Sequence, residues 1–326
     1  MSHHVLCLRP EADFVRVDAL APPSLNVAYH APDDPKVADL VRKVAALVIP
    51  AVGPKLSPTL FEDTQLKIVQ ITGAGVDRLD RAVLMKLGIP VANVAGGSNS
   101  AVAEYAVTTA SLLLRRFAWA DAEIKSGNYA KFRARMLADN LAGLESLLVG
   151  VIGFGMIGRA VAQAFHRVGC RIGYFDPAVG DKTAANVIGA RPMSFEDLLA
   201  QADVITLHVP LLAATQNLIG EHELSEMKRT AVLIQGSRGG IVDEAALANC
   251  LTAGRIHGAA VDVYSTEPPA VDNPLLALKG EAAQRLLLTP HIAGVTRQAS
   301  ALLFRSAWEN VERVLVRNEP PHNRVF

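Results

Sequence analysis

The chain has no excess of charge of either sign, few cysteines and no long apolar run. Lys plus Arg and Asp plus Glu each number 32, so no global basic field exists to recruit nucleic acid or an anionic membrane. The three cysteines, Cys7, Cys170 and Cys250, lie far apart without a C-x-x-C spacing. That spacing excludes a disulfide framework and a cysteine zinc site, and it suits a reducing compartment. No uninterrupted apolar stretch approaches the roughly 20 residues needed to span a bilayer. The opening MSHHVLCLRP lacks the apolar core of a signal peptide. Repeats and low-complexity segments are also missing. The expectation is a cytoplasmic protein with no nucleic-acid, membrane or metal partner.

What the chain does have is alternation. Its 326 residues exceed one typical core, so two domains are expected. In the first hundred residues the β-rich runs HVLCLR, LNVAYH, ALVIPAV, LKIVQIT and PVANVA are separated by helix-like patterns. Gly88 and Pro90 punctuate the end of RLDRAVLMKLG. Continuous apolar strands divided by helices imply a parallel sheet covered on both faces, hence an α/β fold. From Ser98 or Asn99, which can cap it, one apolar helix is expected to run to Gly127 as a bridge between domains. The alternation then restarts with VGVIGF, RIGYFD, VITLHVP, AVLIQGS, GAAVDVY and RLLLTP, giving a second parallel sheet. A last helical pattern with Leu303, Ala307, Val311 and Val314 on one face has no strand after it and is expected to return to the first domain. The first domain would thus be discontinuous, 1–98 plus 292–326, around a second domain of residues 99–291.

The segment VGVIGFGMIGRAVAQAFHRVGCRIGYFDP places Gly153, Gly155 and Gly158 in G-x-G-x-x-G spacing. A lone match is weak. This one follows a strand run, opens an amphipathic helix (Ile157, Val161, Phe165, Val168) and is followed 21 positions after Gly155 by Asp176 at the end of the next strand. That is the dinucleotide fingerprint. Gly153 makes the tight turn, Gly155 admits the pyrophosphate, and Gly158 lets helix and strand pack closely. The helix amino terminus offers N–H groups and partial positive charge to phosphate. Asp176 would accept ribose hydroxyls and repel a 2′-phosphate. No arginine follows it directly in DPAVGDK, so NAD is expected over NADP.

Three further segments, LIQGSRGGIVDEAAL, GAAVDVYSTEPP and LLLTPHIAG, each end a strand with one ionisable residue: Arg238, Glu267 and His291. Singly, each reads as readily as a structural residue. Together, at the strand ends where open α/β folds bind ligands, they form a set fit for exchanging a hydride with a 2-oxo acid. Arginine's planar fork suits the substrate carboxylate and its polarised carbonyl. Histidine suits proton transfer to the carbonyl oxygen near neutral pH. A carboxylate on the other ring nitrogen would orient the imidazole and favour its charged form.

With these motifs the chain resembles the D-isomer-specific 2-hydroxyacid dehydrogenase family from about residue 45 to the end. MKRTAVLIQGSRGGIVDEAAL resembles the family's arginine segment, DVYSTEPP its glutamate segment and TPHIAG its histidine segment. ITGAGVDRLD resembles the loop whose backbone N–H groups hold the substrate carboxylate, here at Gly73, Ala74 and Gly75. The resemblance implies Met156 and Ile157 at the pyrophosphate, and Val209, Pro210 and Thr215 near the adenosine. It puts Gly236, Ser237 and Asp262 beside the nicotinamide. It further implies two doubly wound parallel-sheet domains, a flavodoxin-like substrate domain and a Rossmann cofactor domain, facing across a cleft. A homodimer through the cofactor domain is implied as well. The expected activity is hydride exchange between NAD(H) and a small 2-oxo or D-2-hydroxy acid such as glyoxylate or hydroxypyruvate. The alternative is an NAD(H)-sensing scaffold like the C-terminal-binding-protein corepressors, which share the fold and the same three residues. Two departures stand out. Gln235 occupies the usual asparagine position before Ser237 and Arg238, and LESLLVG replaces the usual L-x-G-K-T-x-G lead-in to the first cofactor strand.

Overall fold

The computed structural model describes residues 3–178 and 183–326, which form two compact units. Met1–Ser98 with Val295–Phe326 make the first, and Asn99–Gly294 the second. In the first unit, β1 (His3–Cys7), β2 (Leu25–Tyr29), β3 (Ala46–Ile49), β4 (Ile68–Ile71) and β5 (Val91–Ala92) form one sheet in the order β2-β1-β3-β4-β5. Every pairing is parallel, the doubly wound order of flavodoxin-like sheets. β3 and β4 are buried along their whole length, which is why their sequences run apolar without alternation. The Arg81–Leu87 helix starts where Asp80 accepts the Val83 N–H and stops at left-handed Gly88. The Arg297–Leu315 helix is capped by Thr296 and buries Phe304, Trp308, Val311 and Leu315. These side chains pack with Val5, Cys7, Phe14 and Val48 in one core cluster, so the last helix returns to the first sheet. The carboxyl terminus then covers the β5 edge, with Val91 N–H donating to Phe326 and Val325 N–H donating to Val91.

The second unit carries a seven-stranded sheet of β6 (Leu148–Ile152), β7 (Arg171–Phe175), β8 (Arg191–Pro192), β9 (Val204–Leu207), β10 (Val232–Gln235), β11 (Gly258–Val261) and β12 (Leu286–Leu288). Its order is β12-β11-β10-β9-β6-β7-β8, and all pairings are parallel. Strand order therefore reverses between β6 and β9, and in such sheets ligands bind at the carboxyl ends beside that switch point. β8 has no counterpart among the expected strands. It is two residues long and contains Pro192, which an edge position tolerates.

The helix expected to run unbroken to Gly127 is divided. Asn99–Leu114 belongs to the second unit, where it packs on the Met156–Arg167 helix and on β10, β11 and β12. Its apolar composition follows from burial of Ala101, Val102, Ala106, Ala110, Leu113 and Leu114. The chain turns at Arg116, whose φ is 51°. The Arg116 guanidinium is nearly buried, pairs with Asp139 and lies 5.3 Å from the Trp119 ring. Two further helices, Phe117–Lys125 and Tyr129–Ala138, fold on each other through Trp119 and Phe132, whose ring centroids are 5.5 Å apart. Among the described residues, no helix is long and apolar enough to cross a membrane.

Candidate active site

At the carboxyl end of β6 the three glycines are separated by physical necessity. Gly153 has φ 90°, and a Cβ there would lie 2.5 Å from the His208 carbonyl oxygen. A Cβ on Gly158 would lie 1.9 Å from the Gly153 oxygen, so helix and strand could not approach as they do. Gly155 is different. A Cβ there meets nothing within 4 Å, so packing within the chain does not require a glycine at this position. It is the N-cap of the Met156–Arg167 helix, whose unpaired N–H groups are suited to phosphate. Val161 and Phe165 of that helix are fully buried, whereas Val168 is the C-cap and 43% exposed. Ile157 is partly buried against the core, and Met156 is exposed.

Asp176, one residue beyond β7, closes this loop. Its Oδ2 accepts the Phe154 N–H at 2.7 Å and its Oδ1 accepts the Ala178 N–H at 2.8 Å. Each carboxylate oxygen keeps a further acceptor site. The part of DPAVGDK comprising residues 179–182 lies outside the described residues. The turn after β9 lies beside the glycine loop, since a Cβ on Gly153 would also reach Val209 Cγ1 at 2.8 Å. Thr215 closes that turn, with its hydroxyl donating to the Pro210 carbonyl at 2.6 Å and accepting the Leu212 N–H at 2.8 Å. His208, missed in the sequence, lies beneath it. Its Nε2 is 2.8 Å from Thr206 Oγ1, and desolvation pushes its pKa down to about 3.

The turn after β10 carries Gly236, Ser237 and Arg238. Gln235, buried to 1% exposure, spans it from within. Its Nε2 donates to the Arg238 carbonyl at 2.8 Å, and its Oε1 accepts from the Ser237 N–H at 3.3 Å and hydroxyl at 2.8 Å. The residue standing in the usual asparagine position therefore supplies both a donor and an acceptor to the turn. Arg238 Nη1 donates to the Ser237 carbonyl at 2.7 Å.

The turns after β11 and β12 bring Glu267 and His291 together. His291 Nδ1 is 2.8 Å from Glu267 Oε2, and both side chains are about a quarter exposed. A carboxylate only accepts, so Nδ1 carries a proton and Nε2 takes no part in this contact. Glu267 Oε1 accepts the Tyr264 N–H at 3.1 Å, which fixes the carboxylate's other end. Asp262 is fully buried behind the His291 turn. It accepts the Thr289 hydroxyl at 2.6 Å and the N–H groups of Ile292 and Ala293 at 2.8 Å each.

All of these groups stand at the carboxyl edge of one sheet, with the glycine loop, Asp176 and Val209–Thr215 at β6, β7 and β9. Arg238, Glu267 and His291 stand at β10, β11 and β12. In the first unit, the loop after β4 carries Gly73, Ala74 and Gly75. The Gly73 carbonyl accepts the Val94 N–H at 2.9 Å, and the Ala74 carbonyl accepts from Asn93 Nδ2 at 2.7 Å. Buried Arg78 secures the facing loop by donating to the Pro50 and Pro54 carbonyls.

Comparison with known proteins adds relatives to this geometry. The profile of the D-isomer specific 2-hydroxyacid dehydrogenase, NAD binding domain, matches residues 107–293. A D-3-phosphoglycerate dehydrogenase of Archaeoglobus fulgidus is 39% identical over 234 residues, 72% of this chain and 42% of that protein. A glyoxylate reductase of Thermococcus litoralis is 37% identical over 272 residues, 82% of this chain and 80% of that protein. The crystal structure of TP0037 from Treponema pallidum, a D-lactate dehydrogenase, superposes with a TM-score of 0.82 at 28% identity and covers 99% of each chain. The chain spans about half the length of the first curated relatives it matches, 42% and 47% of two D-3-phosphoglycerate dehydrogenases.

Proposed function

The chain belongs to the D-isomer-specific 2-hydroxyacid dehydrogenase family, and we propose that it is an NAD-dependent oxidoreductase interconverting a small 2-oxo acid and its D-2-hydroxy acid. The observation that carries this reading is the 2.8 Å contact of His291 Nδ1 with Glu267 Oε2, on the sheet edge that also holds the glycine loop. The open space at Gly155 fits a pyrophosphate, with Gly153, Gly158, Met156 and Ile157 around it. When bound there, NAD(H) supplies or accepts the hydride. Arg238 anchors the substrate carboxylate and polarises the carbonyl, and the family resemblance assigns the backbone N–H groups of Gly73, Ala74 and Gly75 to substrate binding. His291 Nε2 gives a proton to the carbonyl oxygen in reduction and takes it back in oxidation. Glu267 holds the ring so that Nε2 faces that oxygen.

The carboxylate of Asp176 at the end of β7 supports a preference for NAD, since it would repel the 2′-phosphate of NADP. Val209, Pro210 and Thr215 are assigned to the adenosine side, and Gly236, Ser237 and Asp262 to the nicotinamide side. Glyoxylate and hydroxypyruvate are the first substrates to try, because relatives are named glyoxylate reductase and glycerate dehydrogenase. Exposed Phe117, Ile124, Tyr129 and Leu137 support a homodimer through the second unit. The buried, unpaired cysteines support a cytoplasmic location.

The test is a steady-state assay of a 2-oxo acid panel with NADH and NADPH. Turnover of at least one small 2-oxo acid, faster with NADH, is expected. Tight NADH binding without turnover across the panel would sink the enzyme reading and favour the sensing scaffold.

A further inference from the structure

Tyr105 lies in the Asn99–Leu114 helix, far in sequence from the turns that carry Arg238 and His291, yet it bonds to the second and borders the first. Its hydroxyl is 2.8 Å from Thr289 Oγ1, and Thr289 Oγ1 is 2.6 Å from Asp262 Oδ1. A carboxylate only accepts, so Thr289 donates to Asp262 and must accept from the Tyr105 O–H. The direction of this chain is therefore fixed. Asp262 completes it by accepting the N–H groups of Ile292 and Ala293 through its carboxylate, and that of His291 through its backbone carbonyl at 2.8 Å. Thr289 is held a second time, because its carbonyl accepts the Tyr264 hydroxyl at 3.0 Å.

These bonds surround a strained residue. His291 has φ 54°, a left-handed conformation that an ordinary side chain adopts only when its surroundings over-determine it. The same tyrosine ring also borders the arginine turn, since a Cβ on Gly236 would lie 3.9 Å from Tyr105 Cε1 and 3.7 Å from Ala293 Cβ. Burial pushes the Tyr105 phenol up to about 12, so it stays a donor across the working pH range.

We propose that Tyr105, acting through Thr289 and Asp262, is a positioning residue that holds the left-handed His291 turn and so aims the imidazole. It does not touch substrate, and its role rests on the reading of His291 as the proton-transfer group. Among the described residues, the titratable or charged groups in or beside this network are Glu267 on Nδ1, Asp262 behind the turn, Tyr105 and Tyr264 on Thr289, and Arg238 on the neighbouring turn.

The test uses the full chain as Tyr105→Phe, Thr289→Val and Thr289→Ser. Nitrogen NMR of the His291 ring, assigned by its loss in His291→Gln, is read with hydrogen exchange at Ile292 and Ala293. The kcat pH profile and the NADH Kd complete the set. Loss of one hydrogen bond predicts a fall in kcat of about fivefold for Tyr105→Phe, and loss of both Thr289 hydroxyl bonds, which also leaves the Tyr105 O–H without its acceptor, predicts roughly 10- to 100-fold for Thr289→Val. Both should shift the ring resonances and the pH profile, speed exchange at Ile292 and Ala293, and leave the NADH Kd nearly unchanged. Thr289→Ser should restore most of the loss. Ring resonances, exchange and pH profile all unchanged in Thr289→Val, with only a lower melting temperature, would overturn the proposal. The ring and exchange measurements need no turnover. A wild-type chain inactive on every 2-oxo acid would therefore fail the functional reading while the resonances still decided the role of Tyr105.

Discussion

The glycine loop after β6 is constrained chiefly by steric contact with backbone, whereas the His291 turn after β12 is tied by hydrogen bonds to Tyr105, Asp262 and Glu267 on other elements. At the first, a Cβ on Gly158 collides with Gly153 and one on Gly153 with the His208 carbonyl, so the constraint is steric while the glycine spacing that meets it is local. At the second, the left-handed backbone of His291 is held by hydrogen bonds from segments distant in sequence. A loop that must admit a cofactor common to many enzymes can be encoded locally. A proton donor that must be aimed at one atom needs support from several directions.

The sharpest way to probe the local half is Gly158→Ala against Gly155→Ala. The first forces a Cβ to 1.9 Å from a backbone oxygen and should cost about 3 kcal/mol of stability or more, read as a large fall in denaturation midpoint. Gly155→Ala should stay within roughly 0.5 kcal/mol while weakening NADH binding. Equal stability losses in the two variants would break the distinction between packing glycine and ligand glycine. On the distributed half, Arg238→Ala removes a charged hydrogen bond worth about 1.5–3 kcal/mol. It should raise KM and lower kcat/KM, with an effect confined to cofactor affinity contradicting the assigned role.

His208 lies beside the glycine loop, with its carbonyl against Gly153, and desolvation favours the neutral form of its ring. Its folded pKa of about 3 lies below the ordinary histidine value of 6.5. Above pH 6.5 neither folded nor unfolded chain is charged there, and the ring contributes no pH dependence. As pH falls below 6.5 only the unfolded chain gains the proton, so stability should drop by up to about 1.4 kcal/mol per pH unit. His257, also lowered by burial, acts with the same sign. His208→Asn should flatten the decline measured between pH 6.5 and 5, and an unaltered slope would show that the ring is solvated. A modest effect is expected of Asp176→Ala, which loses the Phe154 and Ala178 N–H bonds, each worth about 1 kcal/mol, and should narrow the proposed preference for NADH over NADPH. A wild-type preference for NADPH would count against the reading of that acid.

Legibility in the sequence followed the same division. The strands, both parallel sheets and the glycine spacing could be read because each rests on a local pattern of apolar runs and glycine punctuation. The pairing of Glu267 with His291 could be anticipated only as two strand-end residues of complementary chemistry. Tyr105 was invisible, since an aromatic residue in an apolar helix carries no mark of the hydroxyl's partner. The break at Arg116 was also hidden: LLLRRFAW suits a helix throughout, and the turn is paid for by the distant Asp139. β8 is too short to show a period.

The central claim is that His291 moves the proton while the glycine loop holds the cofactor independently of it. Its most direct test is kcat and NADH Kd measured on the same preparations of the wild type and His291→Ala, with the best 2-oxo acid of the panel. The account predicts a fall in kcat of roughly 10²–10⁴ with an NADH Kd close to that of the wild type. Unchanged turnover, or turnover and NADH affinity lost together, would contradict it.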